Sequence, residues 1–274
     1  MLASTRTSLR SHGAVALPRV ISLYTESFAA LPAFDTGVSR ALLHAAARGD
    51  ARESLRLHVP PDVVAFSVLD RARPGFREAV GAARGQGWDA VLRLAGGRAA
   101  VFHAETVAFA WCIPDPEPRG SIAKRFDWIA AAVARALESL GVDARVGAVP
   151  GEYCPGDHSV NARGAVKLMG VGQRLVKNAA HVGGVIVVKH AARVRDVLVP
   201  VYGAMGVEWK PETTGAVEDE VPGVTRSDVA AALEREFARE AELAPEALRP
   251  SWLAEAEQLA SEHQIEASTQ TRSS

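Results

Sequence analysis

The sequence predicts an α+β fold with a mixed, largely antiparallel sheet flanked by helices. Apolar runs of strand length alternate with amphipathic helical segments along the chain. Many neighbouring strand candidates are joined by short turns, which favours antiparallel pairing over a doubly wound parallel sheet. The chain has 274 residues, of which 48% are hydrophobic, and is therefore long enough to bury a large core.

The elements of the first half follow from apolar periodicity and from the positions of glycine. Apolar residues at helical spacing before Gly49 and Gly85 indicate two helices that end at these glycines. Short β-branched runs indicate strands, and Gly96 and Gly97 join two of them as a hairpin or a strand–loop–strand unit. The predicted elements are a helix at 35–48, a strand at 63–69, a helix at 74–84 and strands at 88–94 and 99–113.

The second half begins with the clearest helix of the chain, at 121–140. Ser121 is a candidate N-cap, an apolar stripe recurs every three or four residues, and Gly141 ends the helix. The glycine-rich segment 150–188 predicts a strand, an active-site loop and a second strand. The remaining predicted elements are strands at 142–149 and 197–202, an acidic linker or exposed loop at 208–222, and helices at 227–242 and 250–265.

Composition excludes several classes of protein. The 31 basic and 32 acidic residues nearly balance, so there is no electrostatic reason to expect a nucleic-acid or membrane-surface binder. No apolar run approaches the roughly 18 residues of a membrane span, and the first 20 residues lack the apolar core of a signal peptide. A cytoplasmic protein is therefore predicted. Its two cysteines have neither disulfide-framework nor zinc-site spacing, so no metal site is expected.

The segment 150–188 also carries the first group of candidate reactive residues. Cys154 is followed by Pro155 and Gly156, which place it on a loop, and Lys167 follows at an interval of 13. A thiol activated by a nearby ammonium, or a lysine that holds an acyl carbonyl, would both suit acyl transfer. The alternatives are a small buried cysteine and a solvated loop lysine.

The second group surrounds the double glycine at 96 and 97. Because Arg93 and Arg98 flank these glycines, main-chain N–H groups and guanidinium groups can converge on a phosphate or a carboxylate. An ordinary hairpin with solvated arginines is the alternative. His103 is either a general base or a histidine whose polar atoms are satisfied in a half-buried position.

Taken together, these motifs resemble a known family. The sequences RLAGGRAAVFH at 93–103 and GAVKLMGVGQR at 164–174 are similar, in order and spacing, to the lipoate/biotin protein ligase catalytic domain. The tetrapeptide YCPG at 153–156 resembles the cysteine-dependent octanoyl/lipoyl transferases of that family more narrowly. The resemblance extends over roughly residues 30–240.

The resemblance implies an acyltransferase that moves an octanoyl or lipoyl group to the lysine of a lipoyl carrier domain, such as the glycine cleavage H protein or an E2 subunit of a 2-oxoacid dehydrogenase. Cys154 would carry the acyl group as a thioester and Lys167 would hold the acyl carbonyl. Transfer would need no cofactor. The alternatives are a lipoate or octanoate–protein ligase that uses ATP and magnesium and acts through an acyl-adenylate, and an inactive carrier-binding module. The implied substrate-binding residues are Arg93, Gly96, Gly97, Arg98, His103, Gly170 and Gln173.

Some positions depart from the family pattern. Leu92 stands where an arginine is frequent, Ala95 where Ser or Thr is usual, and residues 158–161 lack the Asn-Asp pair of ligases. These departures predict weaker nucleotide contacts. The predicted organisation is an N-terminal extension at 1–30 with a loose start at 1–18, a catalytic domain at 31–207, an acidic linker and helical segment at 208–265, and a disordered tail at 266–274.

Overall fold

The computed structural model describes residues 19–266. The predicted loose start of the chain, and all but the first residue of the predicted disordered tail, lie outside this range. No helix within the described range is both long enough and apolar enough to cross a bilayer.

Strands and helices alternate along the described chain. The strands are β1 (Val20–Tyr24), β2 (Ser54–His58), β3 (Val63–Phe66), β4 (Asp89–Leu92), β5 (Ala100–Phe102), β6 (Thr106–Pro114), β7 (Ala144–Val146), β8 (Val160–Ala162), β9 (Val166–Val176), β10 (Ala179–Val187) and β11 (Glu242–Pro245). The helices are α1 (Pro32–Arg48), α2 (Val68–Arg71), α3 (Phe76–Gly85), α4 (Ile122–Glu138), α5 (Ala191–Ala204), α6 (Arg226–Ala238) and α7 (Pro250–His263).

Residues 19–266 form two sheets. The larger has eight strands in the order β11-β1-β2-β6-β10-β9-β8-β7. Only the pairs that β1 makes with β11 and β2 are parallel among these described strands, and the other pairs are antiparallel. The smaller sheet has the order β4-β3-β5, with one parallel and one antiparallel pair. The predicted mixed, largely antiparallel α+β fold is therefore confirmed.

Helices cover both sheets. On the larger sheet, α4 and α6 pack together over a core that includes Leu55, Phe109, Ile129 and Val133. Helices α3 and α5 pack together against the smaller sheet in a second core, and α1 packs along α7. Burial of apolar side chains on one face of each helix is the main source of stability of this arrangement.

Two sequence predictions were wrong in this region of the fold. The predicted strand 197–202 lies inside α5, because Val194, Val197, Leu198 and Val201 are buried at helical spacing and Pro200 lies within the helix. The predicted linker or exposed loop 208–222 contains two 3₁₀ turns, and it is not exposed throughout, since residues 213–217 are buried. The Gly215 amide donates a hydrogen bond to the Lys167 carbonyl at 3.1 Å, so this segment packs against strand β9.

Three strands were missed by the sequence analysis. Strands β1 and β11 pair with each other across more than 200 residues of chain, and β2 pairs with β1 and β6. Long-range strand pairing leaves no local signal in the sequence.

The predicted strand at 63–69 ends at Phe66. Ser67 is the N-cap of the short helix α2, because its hydroxyl group accepts a hydrogen bond from the Asp70 amide.

Candidate active site

A cavity of about 490 Å³ lies between the larger sheet and the turn that follows β4. Its floor is made by glycines of β9 and β10, among them Gly170, Gly172 and Gly183. A Cβ atom at Gly172 would lie 2.9 Å from the Cβ of Ala95, and one at Gly183 would collide with the His181 ring. The absence of side chains at these positions therefore opens the cavity.

Cys154 lies at this cavity on the loop between β7 and β8. Its backbone has a φ of 42°, in the left-handed region that residues other than glycine rarely adopt. Its amide donates a hydrogen bond to the Tyr202 hydroxyl at 3.1 Å, and that hydroxyl donates to the Ala99 carbonyl at 2.8 Å. Tyr202 therefore links the cysteine loop to the turn after β4.

The Cys154 thiol is held against this same turn. The Arg98 amide donates a hydrogen bond to Sγ at 3.1 Å, and a Cβ atom at Gly97, which has a φ of 101°, would lie 2.9 Å from Sγ. Only glycine fits this close approach and this backbone conformation. The Arg98 amide and Gly97 therefore fix the position of the Cys154 sulfur at the cavity.

Lys167 lies on β9 and its side chain is only 1% exposed. Its ammonium group pairs with Glu152 Oε1 at 2.9 Å and donates to the carbonyls of Tyr153 at 3.0 Å and Cys154 at 2.7 Å. A lysine ammonium has three N–H donors, and all three are used here. Lys167 and Cys154 are thus brought together as the sequence predicted, and the lysine holds the backbone of the cysteine loop.

Glu152 was not recognised in the sequence. Its side chain is fully buried, and in addition to Lys167 it accepts hydrogen bonds from the Ser159 hydroxyl at 2.6 Å, the Gly156 amide at 3.3 Å and the Val149 amide at 2.9 Å. An acidic residue two positions before the candidate nucleophile was the available signal.

The Arg93 guanidinium organises the turn after β4 from within. It donates to the carbonyls of Ala95 at 3.1 Å, Arg98 at 3.0 Å and Gly96. Arg93, Gly96 and Gly97 all line the cavity. Arg98 contributes its amide to the thiol, and its side chain is not among the cavity-lining groups within residues 19–266.

Gly170 and Gln173 occupy different positions on β9. A Cβ atom at Gly170 would lie 3.3 Å from Lys167 Cε, so this glycine makes room for the lysine. The Gln173 amide group accepts from Arg125 Nε at 2.9 Å and donates to the Ile122 carbonyl at 2.9 Å. Gln173 thereby anchors the start of α4 at the edge of the cavity.

His103 is the predicted residue that the fold separates from the others. It is fully buried in the turn between β5 and β6, beside Trp88 and His190, and is not among the described residues that line the cavity. Burial, together with the positive charge of Arg193, lowers its pKa to about 4. His103 is consequently a neutral imidazole at pH 7 and lies outside the group formed by Cys154 and Lys167.

A polar cluster lines the end of the cavity beside α1, and the sequence analysis missed it. Asp35 pairs with the buried Arg56 and accepts a hydrogen bond from His58 Nε2 at 3.1 Å. Burial alone would raise the pKa of Asp35, but His58 and Arg56 outweigh it and hold this pKa well below its usual range. Burial lowers the pKa of His181 to about 4, and neither ring nitrogen of His181 has a hydrogen-bond partner among residues 19–266.

No group of three His, Cys, Asp or Glu side chains within the described part of the chain is arranged to hold a metal ion. The other cysteine, Cys112, is completely buried, and burial raises the pKa of its thiol to about 12. Of the two thiols, Cys154 is therefore the one that the fold places at a cavity with a stabilising donor.

Known proteins resemble this chain in sequence and in fold. The chain is 26% identical over 200 residues to the octanoyl-[GcvH]:protein N-octanoyltransferase of Geobacillus kaustophilus, covering 72% of this chain and 70% of that protein. Among solved structures, lipoate-protein ligase A bound with ATP superposes with a TM-score of 0.70 at 18% identity, covering 88% of this chain and 94% of that one. A bipartite lipoate protein ligase from Thermoplasma acidophilum, described with its E2 lipoyl domain, superposes with a TM-score of 0.69 at 18% identity, covering 89% and 93%. At this identity both structures establish the fold alone. The family model of the lipoyl protein ligase A/B catalytic domain matches residues 32–238, and the chain belongs to that family.

Proposed function

We propose that this protein is an acyltransferase that moves an octanoyl or lipoyl group to the lysine of a lipoyl carrier domain through a thioester on Cys154. The observation that carries the proposal is the Cys154 thiol at the cavity of about 490 Å³, with the Arg98 amide 3.1 Å from its sulfur. The octanoyltransferase name of the Geobacillus relative supports the same reaction class.

The reaction proceeds in two transfers. The Cys154 thiolate attacks the acyl carbon of an acylated carrier, and the carbon–sulfur bond forms as the bond from the acyl carbon to the carrier lysine nitrogen breaks. The thiol proton ends on the released amine. The lysine of a second carrier then attacks the thioester, forms the new amide and returns the thiol. Dividing the transfer into two steps through a covalent intermediate lowers the barrier of each.

The residues around the thiol stabilise the charge that develops on the acyl oxygen. The Arg98 amide lies next to the reacting carbon once the thioester forms, so its N–H group can donate towards the acyl oxygen. The Lys167 ammonium lies beside the same loop as an ion pair with Glu152. For Lys167 to hold the acyl oxygen directly, this oxygen must replace a loop carbonyl, since all three ammonium donors are used by Glu152 and the loop. The Cys154 carbonyl, at 2.7 Å, is the group that lies beside the reacting sulfur.

The carriers that we propose are the glycine cleavage H protein and the E2 lipoyl domains. The relative's name contains GcvH, and the Thermoplasma ligase is described with its E2 lipoyl domain. We propose that the transfer requires neither ATP nor a metal, since the acyl group arrives already bonded to a carrier. A reactive thiol needs a reducing compartment, which supports a cytoplasmic location.

Intact-mass analysis tests the proposal. The protein is incubated with octanoyl-carrier in the presence and absence of ATP, and the Cys154→Ala variant is compared with Cys112→Ala as a matched control for loss of the other thiol. We expect a mass gain of one acyl group without ATP in the wild type and in the Cys112 variant, and none in the Cys154 variant.

The other outcomes distinguish the alternatives. Acylation of the carrier that requires free acid and ATP and releases AMP, with no acyl group on Cys154, would identify a lipoate or octanoate–protein ligase that uses ATP and magnesium. Binding of the apo-carrier with no adduct and no AMP would identify a carrier-binding module. Full transfer activity of Cys154→Ala would exclude the thioester.

A further inference from the structure

Glu152 occupies a site that only a carboxylate satisfies. Its two oxygens accept from the Lys167 ammonium, the Ser159 hydroxyl and the amides of Gly156 and Val149. All four partners act as donors here. A glutamine at this position would direct its own NH₂ donors at one or more of them, so the isosteric neutral side chain cannot reproduce the network. A buried carboxylate is retained where charged hydrogen bonds of this kind compensate its loss of hydration.

The network encloses the nucleophile on both sides. Val149 precedes Cys154 in the loop and Gly156 follows it, and Glu152 binds the amides of both. Lys167, held by the same carboxylate, binds the Cys154 carbonyl at 2.7 Å. The loop is therefore fastened to β9 at several points around one residue. Cys154 needs such support, since its φ of 42° is unfavourable for a residue with a side chain.

The same carboxylate sets the charge beside the thiol. Lys167 alone would place an uncompensated positive charge in a buried position next to Cys154, whereas the ion pair with Glu152 at 2.9 Å makes the local net charge zero. The other ionisable groups near the sulfur are the Arg93 guanidinium and the hydroxyls of Tyr153 and Tyr202. Burial raises the pKa of both tyrosines, so neither hydroxyl is charged near neutral pH.

We infer that Glu152 is a positioning residue for acyl transfer: it holds the cysteine loop and Lys167 in the geometry from which the Cys154 sulfur attacks, and it neutralises the lysine beside that sulfur. Glu152 does not touch the substrate, because its side chain is fully buried beneath the loop. The inference rests on the proposed transfer through Cys154, and one of its tests is independent of any acyl donor.

The first test separates turnover from binding. Glu152→Gln is expected to lower the rate constant of thioester formation about 10- to 100-fold, since displacements of about 1 Å in a site have effects of this size. The KM for the acylated carrier should change less than twofold, because Glu152 cannot reach the carrier. Glu152→Asp, which keeps the charge on a shorter side chain, should recover part of the rate. Glu138→Gln, at an exposed position on α4, is the matched control and should behave as the wild type.

The second test uses iodoacetamide on the Cys112→Ala background, so that only Cys154 reacts, and needs no carrier. Both variants disturb the loop, but only Glu152→Gln removes a negative charge near the sulfur. The pH of half-maximal alkylation rate should therefore be lower in Glu152→Gln than in Glu152→Asp, by about one pH unit. Thermal unfolding confirms that the compared proteins are folded.

Three results would overturn the inference: a rate of Glu152→Gln within twofold of the wild type, a loss that appears in KM alone, or equal alkylation midpoints in the two variants. If the wild type itself forms no adduct, the proposed function fails. The alkylation comparison still decides whether Glu152 sets the environment of Cys154.

Discussion

Tyr202 provides a sharp test of how the cysteine loop and the turn after β4 are held together. Its hydroxyl accepts from the Cys154 amide at 3.1 Å and donates to the Ala99 carbonyl at 2.8 Å, and the residue is completely buried. Tyr202→Phe removes one oxygen atom and leaves both main-chain groups without this partner. An unsatisfied buried polar group costs about 1–3 kcal/mol, and water can reach the half-buried Cys154, so we expect a loss of about 2 kcal/mol in the free energy of unfolding.

The expected loss corresponds to a decrease in Tm of about 4–8 °C for a domain of this size. Burial holds the pKa of Tyr202 well above its usual range, so the hydroxyl stays protonated and the loss should be equal at pH 6 and pH 9. Thioester formation should slow about tenfold, because the thiol is no longer fixed against the Arg98 amide.

Urea unfolding followed by fluorescence measures the loss of stability in Tyr202→Phe. Single-turnover acylation followed by mass spectrometry measures the change in the rate of thioester formation. Tyr24→Phe is the matched control, since the Tyr24 hydroxyl makes one long contact with Glu246, at 3.4 Å, far along the chain from the cysteine loop. Tyr24→Phe should lower the free energy of unfolding by less than about 1 kcal/mol and leave the acylation rate unchanged. An unfolding free energy of Tyr202→Phe within about 0.5 kcal/mol of the wild type, with a normal rate, would refute the bridging role.

Three further substitutions probe other parts of the site. Gly172→Val places a side chain against Ala95 and should raise the KM for the acyl donor at least about tenfold, measured by steady-state kinetics; an unchanged KM would contradict the glycine floor. Lys167→Met leaves the Glu152 carboxylate buried without its cation and should cost about 3–5 kcal/mol in urea unfolding, whereas adding Glu152→Gln should restore part of that stability but not activity. His181 has a pKa of about 4 in the folded protein and about 6.5 when unfolded, so stability present above pH 6.5 is lost as the pH falls towards 4, by up to about 3 kcal/mol. His181→Leu should remove this part of the pH dependence of stability. If the free energy of unfolding fell equally in the variant and the wild type between pH 7 and pH 4.5, His181 would not be the group responsible.

The parts of the fold that the sequence predicted are those with complete local signals. Helix α4 has an apolar stripe and a terminal glycine close together in the chain, and it was placed within two residues at each end. The sequence analysis predicts a strand at 197–202 because this segment is a short apolar run with β-branched residues. Packing of α5 against α3 overrides this preference. Local propensity therefore failed where tertiary contacts decide the structure.

The residues of the candidate site also differ in whether the local sequence signals their role. Cys154, Lys167 and the Gly96-Gly97 turn belong to contiguous motifs, and the structure brings them together. Glu152 and Tyr202 carry no motif signal of their own. Their importance comes from hydrogen bonds to residues on other elements, such as the bond from Tyr202 to Ala99 across 103 positions of chain. Such pairings depend on the folded topology, which periodicity and spacing do not specify.

The contacts that hold the cysteine loop and the glycines that form the cavity floor should affect different kinetic parameters. Lys167 lies on β9, which is paired on both sides within the larger sheet, whereas Cys154 lies on a loop that is held in place by Glu152, Lys167 and Tyr202. Loss of one of these hydrogen bonds changes the angle and distance of attack but leaves the glycine floor of the cavity intact, so its effect should appear in the rate of thioester formation. A Cβ atom at Gly172 meets Ala95, Arg93 and Gly96 of the turn after β4. Gly172→Val therefore narrows the cavity that receives the acyl chain, and its effect should appear in KM. If Tyr202→Phe and Gly172→Val instead altered the same kinetic parameter, the cysteine loop and the acyl cavity would have to act as a single coupled unit.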